Sequence, residues 1–412
     1  MKFYFPDSQD LVSPTYDFER DEYSPFRVRQ RDDLYAHEVL ESPPYDGILV
    51  SKAIVDGSVS GAGKYSAPQR ARLYRLGVRK FFRLPLGIET LGDNGAFNYI
   101  DERVPPVTVE EALDFYHECG FDAGVSVDHV IFGYEPDAGL DSANPEWIER
   151  RLITLRLAAA FLEAVEGNRS KIQPVGAAQG WSPESYADSV RQLQLMGYRR
   201  IALGGMVPLK TPDIISCLEA ITEIRSPGTQ LHLLGITRIE SMEEFDRLGV
   251  TSFDSTSAFR QSFMDDRRNY HAADDDYLAV RVPQVEGNST LKRNILGGVV
   301  SQADAIKAER ECLRRLRGYD AGACTLDSTL DALGQYEAIT KSKKSYLEAY
   351  RKTLSDAPWR ACGCALCKKH GIEIAIFRGT ERNKRRGFHN LSVLSKKMKN
   401  LTLNPRNGSL RG

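Results

Sequence analysis

Short apolar runs alternate along this chain with stretches whose apolar residues recur at helical spacing. The runs Phe3–Phe5, Ile48–Ser51, Phe81–Leu84, Gly124–Asp128, Ile172–Ala177, Ile201–Gly204, Leu231–Gly235 and Ser252–Ser255 have the length and composition of buried strands. Helices are predicted between several of them. Thr108–Cys119 has Glu110 and Glu111 in its first turn and Gly120 just beyond its end. Pro145–Glu166 is a long periodic stretch, and Ser182–Met196 starts Ser-Pro-Glu, a strong helix start. Pro212–Ile224 and Ser241–Leu248 follow the same pattern. Buried strands alternating with helices predict a parallel α/β sheet, and eight strands predict its closure into a (β/α)8 TIM barrel over residues 1–300. Beyond Arg260 the alternation stops. Asp265–Asp276 reads as a charged loop, and Gln302–Arg317 and Leu330–Leu354 as helices. These predict a helical extension over 301–355, followed at 356–412 by a zinc-binding subdomain with a basic C-terminal tail.

The 412 residues, 42% hydrophobic and 27% charged, have ordinary globular composition. No apolar run has the length of a membrane span, and Met1–Asp10 lacks a signal-peptide pattern, so a cytoplasmic protein without membrane attachment is expected. Seven cysteines are an odd number, three of them clustered and the others (Cys119, Cys217, Cys312, Cys324) scattered. That usage fits reduced thiols and a metal site better than a disulfide framework. A net charge of -1 gives no general attraction to nucleic acid. From Lys368 through Arg406 and Arg411, however, basic residues are opposed only by Glu373 and Glu381, which makes this end a candidate phosphate-contacting face. Gly61-Ala62-Gly63-Lys64 imitates a phosphate loop, but Ser58 stands where the first glycine belongs and Tyr65 where a hydroxyl should follow the lysine.

Cys362, Cys364 and Cys367 place three thiols within six residues, and His389 follows after a basic segment. Three thiolates and an imidazole complete a tetrahedral zinc shell with no open position, so the predicted zinc is structural. His389 and His370 compete for the fourth place, while Cys324 is distant in sequence. Reactive chemistry in a barrel belongs at the carboxyl ends of the strands. Asp128, Gln179, Gly204, Gly205 and Asp254 lie just after apolar runs, and Asp93 opens Asp93-Asn94-Gly95-Ala96-Phe97-Asn98. Asp and Gly also cap and turn at such junctions for purely local reasons. Two aspartates at one mouth nevertheless suit glycosyl transfer, one attacking an anomeric carbon while the other manages a proton. An Asp beside Gln and glycines suits a purine-like base.

These residues resemble the tRNA-guanine transglycosylases, zinc-containing barrels that exchange guanine in RNA for a 7-deazaguanine. The family's Asp-Ser-Gly-Gly-Phe-Gln is similar to Asp93–Asn98, its base-recognising Asp to Asp128, and its Val-Gln-Gly to Ala178-Gln179-Gly180. Its Gly-Gly-Leu is similar to Gly204-Gly205-Met206. Its Phe-Asp-Cys with a following Pro-Thr-Arg is similar to Phe253-Asp254-Ser255 with Ala258-Phe259-Arg260. The Cys-x-Cys-x-x-Cys motif matches fully, and His389 lies nearer the family's spacing than His370. The likeness spans about residues 45–395, with departures at Asn94, Ala96, Asn98, Ser255 and Phe259. This variant pattern resembles the DpdA-type branch, which modifies DNA. The resemblance implies Asp254 as nucleophile, Asp93 as general acid/base, and Asp128, Gln179, Gly204, Gly205, Met206 and Arg260 as substrate-binding residues. It implies DNA in preference to tRNA, an incoming base of the 7-cyano-7-deazaguanine type and structural Zn2+. A near-neutral net charge with one basic end suggests modest affinity for duplex DNA, which leaves room for a helper protein that opens it. Activity on tRNA, an inactive nucleic-acid-binding barrel, and an unrelated barrel with a coincidental thiol cluster remain alternatives at this stage.

Overall fold

The computed structural model describes residues 1–7, 10–59, 61–167, 170–340 and 344–403. They divide into two compact units, one drawn from residues 1–7, 45–256 and 398–403, the other from 10–44 and 257–397. Arg406 and Arg411 of the basic tail lie outside the described residues.

In the first unit, eight parallel strands close into a barrel: β1 (Lys2–Pro6), β2 (Gly47–Ser51), β3 (Glu89–Asp93), β4 (Ala123–Val125), β5 (Gln173–Ala178), β6 (Arg200–Leu203), β7 (Gln230–Leu233) and β8 (Val250–Asp254). Closure is made by β1 against β8, with Tyr4 beside Asp254. Tyr4, Leu49, Leu91, Val125, Val175 and Ala202 fill the centre and are fully or almost fully buried, so the barrel is a packed core and not a pore. The intervening helices have strong local signals. Thr108 caps Val109–Cys119 in a reciprocal box with Glu111, and left-handed Gly120 ends it. Ser182 caps Pro183–Met196, whose end is left-handed Gly197.

Seven of the eight strands fall on or beside the expected runs; the third does not. Phe81–Leu84 straddles the end of the helix Ala67–Phe81, which Ser66 and Gln69 start with a capping box and whose Leu73, Val78 and Phe81 are buried. The true strand, Glu89-Thr90-Leu91-Gly92-Asp93, has little apolar signature. Gly92 is there because the Tyr116 ring lies over it, 2.3 Å from where a Cβ would stand. A residue chosen for close approach of a neighbour weakens the strand pattern. The correction places Asp93 at the carboxyl end of a barrel strand, level with Ser51 of β2.

At the opposite end of the barrel Arg200 is buried, bonded to Glu89 and, at 3.0 Å, to the Tyr4 hydroxyl. Burial pushes the Glu89 carboxyl up, but Arg200 and Tyr4 outweigh it and hold the pKa at about 2.

The second unit is mainly helical, and two expectations change there. Leu330–Leu354 is not one helix. The described residues form Leu326–Thr340 and Leu347–Asp356, and the Glu337 carboxylate accepts from the Ser345 hydroxyl at 2.8 Å and the Tyr346 N–H at 3.2 Å, folding the chain back. The basic segment after Lys368 is not uniformly a solvent-facing surface either. Arg378, Arg382, Arg385 and Arg386 are buried. Arg382 joins Glu373 at 2.6 Å and Asp21, Arg378 joins Asp21 and Glu309 at 2.5 and 2.6 Å, and Arg385 joins Glu381. Arg386 donates to the carbonyls of Ser262, Ile374 and Ile376. Buried guanidinium groups need such partners, and the partners come from remote segments. Lys368, Lys369, Lys396 and Lys399 remain exposed. Among the described residues no helix is long and apolar enough to cross a membrane.

Candidate active site and metal centre

The carboxyl ends of β3, β4, β5, β6 and β8 bring Asp93, Asp128, Gln179, Gly204, Gly205 and Asp254 to one mouth of the barrel, as the strand directions require. Asp128 is buried and both its oxygens accept from amides. Asn94 Nδ2 lies 3.0 Å from one and Gln179 Nε2 2.6 Å from the other. The Tyr99 hydroxyl bonds Asn94 Oδ1 and also reaches the Asp128 carbonyl at 3.1 Å. Burial raises the Asp128 pKa, and the two amide donors counter part of that rise.

Asp93 is pushed up to about 7, first by burial and then by the charges of Asp128 and Asp254. A carboxyl in that range can both give and take a proton at neutral pH. Asp254 is held on one oxygen: the Gly235 N–H donates to Oδ1 at 3.0 Å, and His232 Nε2 lies 3.2 Å from the same atom.

Gly205 has a left-handed backbone (φ 75°), and a Cβ there would stand 2.3 Å from the Ile131 carbonyl oxygen. No other residue fits without displacing the loop. The Tyr186 hydroxyl holds the Gly204 carbonyl at 2.8 Å. Met206 has its side chain fully buried. Phe97 and Phe132, in the loops after β3 and β4, pack with ring centroids 5.3 Å apart while remaining 52% and 36% exposed. Arg260 belongs to the second unit, exposed on the helix Ser257–Met264.

Sequence reasoning missed His232 and Asn94 as interacting residues. A signal existed for the first: His232 is a polar residue inside the apolar run of β7, and a buried imidazole requires a partner. The Gly61–Lys64 stretch shows no phosphate cradle, since the Lys64 N–H is bonded to the Ile54 carbonyl at 2.8 Å.

In the second unit, one ligand atom from each of Cys362, Cys364, Cys367 and His389 lies within 4.8 Å of all the others. His389 Nδ1 is 3.6, 3.5 and 3.4 Å from the three sulfurs. Tetrahedral zinc, with bonds of about 2.3 Å to sulfur and 2.0–2.1 Å to nitrogen, requires N···S edges of about 3.6 Å. His389 Nε2 donates to the His271 carbonyl at 2.7 Å, which leaves Nδ1 as a lone-pair donor facing the thiols. The Tyr270 ring stacks on His389 at 4.3 Å, and its hydroxyl is 3.2 Å from Cys367 Sγ. His370 lies outside this cluster, edge-on to Phe18. The group can therefore hold a metal ion with His389 as its fourth ligand.

No protein-family model matches the chain. A protein of Salmonella montevideo named DNA-guanine transglycosylase is 48% identical to it over 400 residues, which cover 96% of this chain and 95% of that protein.

Proposed function

The chain belongs to the tRNA-guanine transglycosylase family, in its DpdA-type branch, and is a guanine transglycosylase; from that premise we propose that it exchanges guanine in DNA for a base of the 7-cyano-7-deazaguanine type through a glycosyl–Asp254 intermediate. The observation that carries the reading is the pairing of two unlike carboxyls at one barrel mouth. Asp93 sits near neutrality, while Asp254 is anchored through Oδ1.

In this reading Asp254 Oδ2 attacks C1′ of the target nucleotide. The C1′–N9 bond breaks, its electron pair leaves with guanine, and protonated Asp93 gives the departing base a proton. The incoming base then attacks C1′ through N9, its N9 proton passes to Asp93, and the C1′–Oδ2 pair returns to Asp254. Two displacements leave the configuration at C1′ unchanged. Asp128 accepts from base N–H groups through the acceptor sites that Asn94 and Gln179 leave on its two oxygens, and the Gln179 amide can both donate and accept. A Cβ at Gly204 would stand 2.2 Å from Gln179 Nε2, so the bare backbone there gives the base-holding amide its place, with Gly205 and Met206 next in the chain. The Phe97 and Phe132 rings offer faces for stacking. The target nucleotide must leave its stack to reach Asp254. Zn2+ held by Cys362, Cys364, Cys367 and His389 would be structural, since four protein ligands would leave no position for a reacting group. Arg260 and the exposed Lys368, Lys369, Lys396 and Lys399 are candidate phosphate contacts, and a helper protein would open the duplex. A reducing compartment such as the cytoplasm suits this reading, since seven cysteines with three of them clustered fit a metal site better than a disulfide framework.

The test is nucleoside mass spectrometry of DNA and tRNA from cells producing this chain and supplied with the 7-cyano base. Modified deoxyguanosine in DNA with unmodified tRNA is expected. Modification confined to tRNA overturns the choice of DNA, and modification of neither overturns the exchange reading.

Asp93 makes a separate prediction. Its folded pKa of about 7 lies above the unfolded value near 3.9, so the folded state binds more protons in between. Stability therefore falls as pH rises from about 4 to about 7 and stays reduced above that. Asp93→Asn removes this penalty. At pH 8 the variant should be more stable than the parent by roughly 1–3 kcal/mol in urea unfolding, yet exchange guanine about 100-fold or more slowly. In the parent, kcat/KM for DNA should decline as pH rises through about 7, because release of guanine needs the protonated acid. A flat profile there, or an active Asn variant, removes Asp93 from the reaction.

A further inference from the structure

His232 has no exposed surface and stands in the middle of β7. Its Nδ1 is 2.8 Å from Ser252 Oγ, and its Nε2 is 3.2 Å from Asp254 Oδ1. An ionised carboxylate can only accept, so Nε2 carries the proton. Burial disfavours the imidazolium, so the ring is neutral, with Nδ1 accepting from the Ser252 hydroxyl. Tyr4 meets the ring edge-on at 5.5 Å, and the Tyr4 hydroxyl is tied to Arg200. The charged groups acting on His232 are Asp254, Arg200 and Glu89. The result is a column through the barrel interior, from the Arg200–Glu89 pair through Tyr4 and His232 to Asp254. Among the described residues, both hydrogen bonds to the Asp254 carboxylate fall on Oδ1, from His232 and from the Gly235 N–H.

We propose that His232, with its Nδ1 held by Ser252, is the positioning residue of the nucleophile, holding Asp254 by Oδ1 so that Oδ2 is directed to C1′ and stabilising the carboxylate as it leaves. This rests on the reading of Asp254 as nucleophile. In the glycosyl ester Oδ1 is a carbonyl oxygen and a weak acceptor. When N9 of the incoming base displaces Oδ2, the C1′–Oδ2 electron pair returns to the carboxylate, and Oδ1 becomes a strong acceptor again. The Nε2–H bond therefore strengthens along the second displacement, and an interaction that grows toward the transition state accelerates that step. Its removal slows breakdown of the ester more than its formation, so the covalent species accumulates.

The experiment uses the full chain, a guanine-containing DNA oligonucleotide and 7-cyano-7-deazaguanine. It measures kcat together with the fraction of enzyme trapped as covalent adduct on denaturing gels. His232→Phe keeps a flat apolar ring and loses the donor. A fall in kcat of about 10²–10³-fold is expected, the size seen when one preorganised donor to a reacting oxygen is removed, with a larger fraction trapped during turnover. His232→Gln, which retains an N–H donor, should recover about tenfold or more of that loss. A purely structural role would lower the folded fraction without changing the trapped fraction per folded molecule. Unchanged kcat and unchanged adduct in folded His232→Phe overturn the proposal. If that variant does not fold, Ser252→Ala decides. It should lower kcat by about threefold to tenfold and raise the adduct fraction, and an unaltered fraction overturns the proposal. Asp254→Ala in the same assay separates the two levels: adduct formed by that variant defeats the nucleophile assignment itself, whatever His232 does.

Discussion

Asp254→Ala loses guanine exchange, by about 10⁴-fold or more, and forms no covalent adduct with DNA. The size follows from the role. Nucleophile removal in enzymes that work through a covalent intermediate leaves only the catalysis supplied by binding and orientation. The fold should survive, because the Asp254 side chain makes two hydrogen bonds at the rim of a core filled by other residues. Alanine strands His232 Nε2–H and the Gly235 N–H, at a cost of about 1–3 kcal/mol. Asp254→Asn is the gentler companion, since its amide oxygen still accepts both donors while lacking a carboxylate to attack C1′. Both variants should show native circular dichroism with exchange and adduct absent. Persistent exchange in either would move the nucleophile elsewhere, and Asp93 is the other carboxylate at the mouth positioned to be tried.

The second large effect concerns the metal. His389→Ala should lose the bound ion and with it the cooperative unfolding of the second unit, while His370→Ala keeps a full equivalent. A structural zinc contributes about 10–16 kcal/mol in small domains, comparable with the whole stability of a typical fold. Its loss here also frees Cys362, Cys364 and Cys367 and removes the ring on which Tyr270 stacks. Metal content by atomic emission and thermal melting with and without a chelator read both consequences. Full zinc retention by His389→Ala would refute the ligand set. The same measurement on His370→Ala should be uneventful, because that ring packs against Phe18 and not against the thiols.

The two sites differ in how far they could be read from the chain. The thiols lie within six residues, so their spacing alone brings them near one another. The fourth ligand could not be read in that way. Local spacing permits both His370 and His389, the resemblance favours His389, and the helix Gly379–Leu403 brings the His389 Nδ1 to 3.5 Å from Cys364 Sγ. At the barrel mouth, Asp128, Gln179 and Asp254 follow apolar runs and were legible as strand ends. Asp93 was legible as a residue but not as a strand end, because Gly92 beneath Tyr116 erases the strand pattern around it.

Basic residues show the same division most plainly. Arg378, Arg382, Arg385 and Arg386 read in sequence as part of a candidate phosphate-contacting face, and each is an interior group in the structure. Nothing within the segment announces this, since their main partners include Asp21, Glu309 and Ser262, far away in the chain.

What the sequence by itself determined are the features carried by short-range pattern: alternating strands and helices, their caps, the aspartates at strand ends and the thiol cluster. Propensity, capping and burial period act over a few residues, so they survive in a linear reading. What the tertiary structure decided are the pairings across the chain: His232 with Ser252 and Asp254, Asn94 and Gln179 on Asp128, His389 with the thiols, and the arginines with their carboxylates. A buried polar group is stable only with its partner in place. Which partner it has depends on how distant segments pack, and no local pattern records that.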